Sequence, residues 1–173
     1  GRIGERVMVD PWIRDTMTPL DFNKARYLGS EIDGGYAEYT KVPAGNVYKI
    51  TSNLSNVELA SFACSYQTAE NMLTRARLSS GEVIAISGAS GGVGSALIQL
   101  ANRRNAFVIA IAGAAKSDDV SAVGADVVID RNTADLKTAI INAAPNGQVN
   151  VAADVVGGDT FSAMMNCLCR TGR

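Results

Sequence analysis

Residues 87–94 read SGASGGVG, four glycines in eight positions. The stretch before it, residues 83–87 (VIAIS), is a nearly continuous apolar run, as expected of a strand buried on both faces of a parallel sheet. After it, Val93, Ala96, Leu97, Leu100 and Ala101 recur at three- and four-residue steps and make one face of a helix opening near Gly92. Strand, glycine turn and helix in that order are the context a dinucleotide-binding turn requires. Gly91 is expected to make the tight turn and Gly94 to let the helix pack on the sheet, with free first-turn N–H groups facing a pyrophosphate. Ser90, Gly91, Gly92, Val93 and Gly94 are therefore the candidate cofactor cradle. No Lys-Ser or Lys-Thr follows the glycines, which excludes a P-loop.

Downstream the rhythm continues. Strands are expected over residues 107–112, 126–129 and 149–156, alternating with helices over 117–123, 133–143 and 160–168. Four strands alternating with helices argue an α/β fold, a Rossmann-type doubly wound parallel sheet. A fifth strand is expected to start at Thr171-Gly172-Arg173.

Upstream the character changes near residue 80. Short extended pieces, residues 6–9, 35–42 and 47–50, are separated by turn residues, and residues 12–32 read as an irregular loop with a short helix. In 35–42 (GYAEYTKV), Tyr36, Glu38 and Thr40 alternate with Ala37, Tyr39 and Lys41, which predicts a strand. Ser55, with Glu58 three residues on, is a capping box opening a helix over 56–61. A second, amphipathic helix is expected over 62–78, stopped by Ser79-Ser80-Gly81.

Composition narrows the function classes. With 47% apolar and 19% charged residues the chain is ordinary globular material, and a net charge of −1 without any basic run argues against nucleic acid or an anionic membrane surface as partner. The apolar stretch FVIAIAGAA (107–115) is too short to span a bilayer. No charged-then-apolar leader is visible, and three cysteines without a CxxC fit a reducing, cytoplasmic setting. There is no histidine, so the chain holds no Ser-His-Asp triad and no histidine-rich metal site.

The glycine loop alone also fits the TGxxxG(I/V)G pattern of short-chain dehydrogenases, at Gly88, Gly92 and Gly94. That family needs a Tyr-x-x-x-Lys pair after the loop, and all five tyrosines precede it. The order GERVMV, GGYAEYTKVP, CSYQTAENML, VIAISGASGGVGSALIQLA, GAD and DVVGGDTF…CLCRTGR resembles instead the medium-chain dehydrogenase/reductase superfamily, in its zinc-type alcohol dehydrogenase and quinone oxidoreductase branches. The resemblance implies part of a GroES-like catalytic domain in residues 1–50, connecting helices in 51–80 and an NAD(P)-binding Rossmann domain in 81–173. It further implies that half of the catalytic domain precedes residue 1, that the end of the sheet follows residue 173, and that the isolated piece is inactive. A small-molecule substrate and a homodimer or homotetramer of the full-length protein are expected. A non-catalytic NADPH-binding sensor or structural module, and an enoyl-reductase segment of a larger synthase, remain as alternatives.

In folds of this kind that prefer NAD, a carboxylate about 20 residues after the glycines takes the adenosine ribose. Counting on from Gly94 reaches Gly113 or Ala114, neither of which carries one, and Lys116 lies close by in sequence. NADP(H) is therefore expected over NAD(H), with Lys116 read either as a partner of the 2′-phosphate or as a solvated first-turn residue. By family analogy Thr68 faces the nicotinamide end, Val156 and Gly157 line the groove, and Arg131-Asn132 border the adenine. The same analogy offers Cys64, four residues before Thr68, as a catalytic zinc ligand, while the absence of a four-cysteine cluster in residues 10–34 removes the structural zinc lobe. Cys64 reads equally as a small buried hydrophobe. Cys167 and Cys169 are read as packing residues.

Overall fold

The computed structural model describes residues 3–19 and 21–173, apart from the side chain of Phe22. The chain divides into two compact units, residues 1–64 and 65–173. The division falls inside the first long helix, α1 (Asn56–Arg75).

In the C-terminal unit four strands form one parallel sheet: β5 (Val83–Ile86), β6 (Phe107–Ala112), β7 (Val127–Asp130) and β8 (Val151–Ala153), in the order β7-β6-β5-β8. The helices between them are α2 (Gly92–Asn102), α3 (Ser117–Val123), α4 (Leu136–Ala143) and, after β8, α5 (Gly158–Met165). Strand alternation sorts the core into two layers. Ile84, Ile86, Val108 and Ala110 pack with Ala69 and Leu73 of α1, Leu97 of α2 and Val120 of α3. Val83, Ala85, Ile109 and Ile111 pack on the opposite face with Ile140 of α4 and Met164 of α5. Both faces of β5 and β6 are covered, which is why those two strands are apolar at every position. The chain runs from β5 outward to β6 and β7, then returns to β8 on the other side of β5. The order therefore reverses beside β5, and its C-terminal end is the topological switch point where such sheets bind ligands.

Polar residues fix the register. Asn150 Oδ1 accepts the Val83 amide at 2.8 Å and Asp126 Oδ2 accepts the Val108 amide at 2.7 Å, so each caps the start of a neighbouring strand. In the Gly124-Ala125-Asp126 run, Gly124 (φ 117) ends α3 and Asp126 starts the pairing of β7 with β6.

The N-terminal unit is lighter. β1 (Val7–Val9) pairs antiparallel with β4 (Val47–Lys49), and β2 (Trp12–Ile13) with β3 (Arg26–Tyr27). Trp12 and Tyr27 stack with ring centroids 6.2 Å apart, and Arg14 Cζ lies 4.0 Å over the indole. Among the described residues no helix is long and apolar enough to cross a membrane.

Several boundaries differ from the sequence reading. Within the stretch read as an irregular loop, β2 and β3 pair antiparallel, with Trp12 opposite Tyr27 and their rings stacked. Residues 35–42 form no strand: alternation makes a strand only where a neighbour completes the ladder, and no described segment pairs with it. Tyr36 and Tyr39 stand fully exposed there, beside an open cavity of about 910 Å³ also lined by Ile32 and Pro43. The two helices expected over 56–61 and 62–78 are one, since nothing between Ser61 and Phe62 breaks the backbone ladder. α4 starts at Leu136 because Asp135 Oδ1 accepts the Thr138 amide at 3.0 Å and caps it there, and α5 starts at Gly158 rather than Thr160. β8 is shorter than the expected 149–156. Its far edge is met by Arg173, which donates its amide to Asn150 O and accepts that of Ala152, the pattern of a fifth parallel strand beginning.

Candidate functional site: the end of β5 and the start of α2

Ser87 and Gly88 leave β5 at the switch point. Gly88 takes φ 57, and Gly91, at φ −85 and ψ 172, is the N-cap of α2 with no side chain capping it. The Gly91 amide bonds back to Gly88 O at 2.9 Å, closing the turn expected of it. Among the described residues the amides of Gly92, Val93 and Gly94 find no backbone carbonyl, and the first turn of α2 carries no acidic residue. Three free N–H groups at the positive end of an 11-residue helix make a cradle for an anion.

The glycines are needed by geometry. A Cβ on Gly94 would lie 2.2 Å from Gly88 O and 2.6 Å from Ala89 Cα, so only glycine lets α2 sit this close to the loop. A Cβ on Gly92 would lie 2.7 Å from Ser65 Oγ on α1. Ser90, Gly91 and Gly92 are exposed, Val93 is half-buried and Gly94 buried. This bare backbone surface fits a pyrophosphate.

Gly113 follows β6, and among the described residues, its chain neighbours aside, the side chain within 4 Å of where its Cβ would stand is Arg131, with Nε at 3.8 Å and Cζ at 3.9 Å. Arg131 is held there by its own amide, which donates to Ala112 O at 2.8 Å, and its side chain is exposed. Lys116 is turned to Asp119, Nζ to Oδ2 3.2 Å, in an exposed ion pair. The cation found beside Gly113 is thus Arg131, which the family analogy assigns to the adenine.

On the other side of the glycine loop, Val155 and Val156 follow β8. A Cβ on Gly88 would lie 2.8 Å from Val155 Cγ2 and 3.2 Å from Val156 Cγ2, so the two valines close over the loop. Gly157, at φ 80, is the N-cap of α5.

The comparisons with known proteins agree with this geometry. Residues 92–173 match the family model described as zinc-binding dehydrogenase. A crystal structure from Sinorhizobium meliloti 1021, assigned provisionally as an alcohol dehydrogenase, superposes with a TM-score of 0.90 at 46% identity, over 99% of this chain and 47% of that one. The chain belongs to the medium-chain dehydrogenase/reductase superfamily. A quinone oxidoreductase-like protein 2 homolog of Nematostella vectensis is 31% identical over 80% of this chain and 39% of its own length. An NAD-dependent alcohol dehydrogenase of Sulfolobus acidocaldarius is 28% identical over 98% of this chain and 51% of its own. The chain thus spans about half the length of these medium-chain relatives, or less.

In this medium-chain frame, Thr68 is exposed on α1, one turn after Cys64, which is exposed too rather than buried as a packing cysteine would be. Among the described residues no three His, Cys, Asp or Glu side chains gather in a way that would hold a metal. A catalytic zinc takes three protein ligands, and the described residues alone do not make up such a set. Cys167 is buried, its thiol bonded to Ala163 O at 3.1 Å, and burial pushes its pKa up, as befits a packing residue. The sequence reading does not foresee the Ser87–Asp154 hydrogen bond, Oγ to Oδ1 2.5 Å. Their signal was present: each is the polar residue that ends an apolar strand, at the same edge of one sheet.

Proposed function

We propose that the full-length protein carrying this chain is an NADP(H)-dependent oxidoreductase acting on a small alcohol or carbonyl, a quinone or an enone. The observation that carries the reading is the uncapped, glycine-lined start of α2 at the switch point of the sheet, flanked by a ribose position where Gly113 offers no carboxylate and Arg131 offers a guanidinium. A 2′-phosphate suits Arg131, which can meet two of its oxygens at once. An exposed Lys116–Asp119 pair is weak enough for Lys116 to join it.

The nicotinamide, when bound, supplies the hydride chemistry. This chain's residues bind and orient. The Gly92–Gly94 amides hold the pyrophosphate, Arg131 fixes the adenosine end, and Val155 and Val156 shape the groove beyond the glycine loop. Of the alternatives, a sensor that binds NADPH without turnover shares the same groove, and only turnover separates the two.

The test is hydride transfer by the full-length protein with a panel of alcohols, aldehydes, quinones and enones, each with NADPH or NADP. Turnover of any of these, lost on Gly94→Ala, is expected. A protein that binds NADPH yet turns over none of the panel would favour the sensor.

A further inference from the structure

β5 and β8 lie side by side in register, Ile86 opposite Ala153, and one residue further on each strand ends in a polar side chain, Ser87 and Asp154. Ser87 is fully buried. Its hydroxyl donates to Asp154 Oδ1 at 2.5 Å and accepts the Val155 amide at 2.9 Å. Asp154 in turn accepts the Val156 amide at Oδ1, 3.3 Å, and the Gly157 amide at Oδ2, 2.8 Å. Three consecutive amides are thus held by one hydroxyl and one carboxylate. The turn they fix needs holding: Gly157 and Gly158 both sit at positive φ, and Val155 and Val156 are 45% and 62% exposed.

The direction of a bound dinucleotide gives this clamp a role, on the reading of the site proposed above. With the pyrophosphate at the start of α2 and the adenosine on the β6 side at Gly113, the other half of the molecule extends past Gly88 toward β8. There it meets the two exposed valines. We propose that Ser87 and Asp154 are positioning residues for the nicotinamide half of the cofactor, holding Val155, Val156 and Gly157 as the wall of the groove. Neither touches the ring. They act through the turn, whose amides would otherwise be free to rotate it away from Gly88.

The test uses the full-length protein and two ligands that differ only at the nicotinamide end: NADPH against 2′-phospho-ADP-ribose, with NADH against ADP-ribose as the unphosphorylated pair. Ser87→Ala and Asp154→Ala are expected to raise the Kd for the complete dinucleotide about tenfold, or about 1.4 kcal/mol, and to leave that for the fragment within about twofold. Asp154→Asn keeps one oxygen and loses less; it is the variant to rely on if the alanine forms do not fold, which an unchanged fragment Kd would exclude. Equal weakening of both ligands by Asp154→Asn would mean a general structural role and overturn the proposal, as would unchanged binding of the dinucleotide in all three variants. A wild-type protein that binds neither dinucleotide nor fragment would overturn the cofactor reading itself, a result distinct from failure of the clamp.

Discussion

At Gly94 a single hydrogen atom decides whether the loop and helix can meet. A methyl there would lie 2.2 Å from the Gly88 carbonyl, well inside contact distance. Gly94→Ala is therefore expected to push α2 away, lower stability by about 1–3 kcal/mol and abolish dinucleotide binding, as read by thermal melting and NADPH titration of the same sample. Gly113 is the contrast: it sits at φ −72 with nothing nearer to its Cβ position than 3.8 Å. Gly113→Asp should keep the melting temperature while weakening NADPH about tenfold or more relative to NADH, because it places a carboxylate against Arg131 and the 2′-phosphate alike. Both glycines were legible as a spacing. The guanidinium over Gly113 was not, since Gly113 and Arg131, far apart in sequence, come together only when β7 pairs with β6.

At the scale of elements, the helices carry their own start and stop signals. The Ser55 hydroxyl accepts the Glu58 amide at 3.2 Å while Glu58 Oε2 takes the Ser55 amide and hydroxyl, both at 2.7 Å, the capping box its spacing predicts. Those bonds, the hydroxyl's first, hold the Glu58 carboxyl below the usual carboxylate range. A lowered folded-state pKa means that the contribution is complete above the unfolded value, about 4.3, and is lost as pH falls through the folded one. Glu58→Gln should therefore melt below wild type near about pH 6, and the gap should close toward about pH 3; a gap that is constant with pH would contradict this. The C-termini are as regular. α1, α2 and α3 each end with paired bonds of the same kind: Leu78 N–H to Leu73 O, Ala106 to Ala101 and Ala125 to Val120. The left-handed residue in each is Arg77, Asn105 or Gly124. Arg77 is the one ill suited to its φ of 50, so Arg77→Gly is expected to raise stability by up to about 1 kcal/mol in a denaturant titration, against the usual cost of glycine.

Across the whole molecule, what could be read in advance depended on whether a segment's partner lay close in sequence. β5 to β8 and the helices between them follow local periodicity, and their order fixes the sheet and its switch point. The segment 35–42 has the alternation of a strand and no ladder among the described residues, so its pattern misled. Ser87 and Asp154 stand 67 positions apart and came together only through the pairing of β5 with β8. The cofactor reading joins both kinds of information: a local glycine turn and a long-range approach of Arg131. Its most direct test is a pair of fluorescence titrations of the full-length protein with NADPH and NADH, repeated on Arg131→Ala. The account predicts tighter binding of NADPH, by about tenfold, and loss of most of that preference in the variant. Binding of NADH but not NADPH, or a preference untouched by the loss of Arg131, would contradict it.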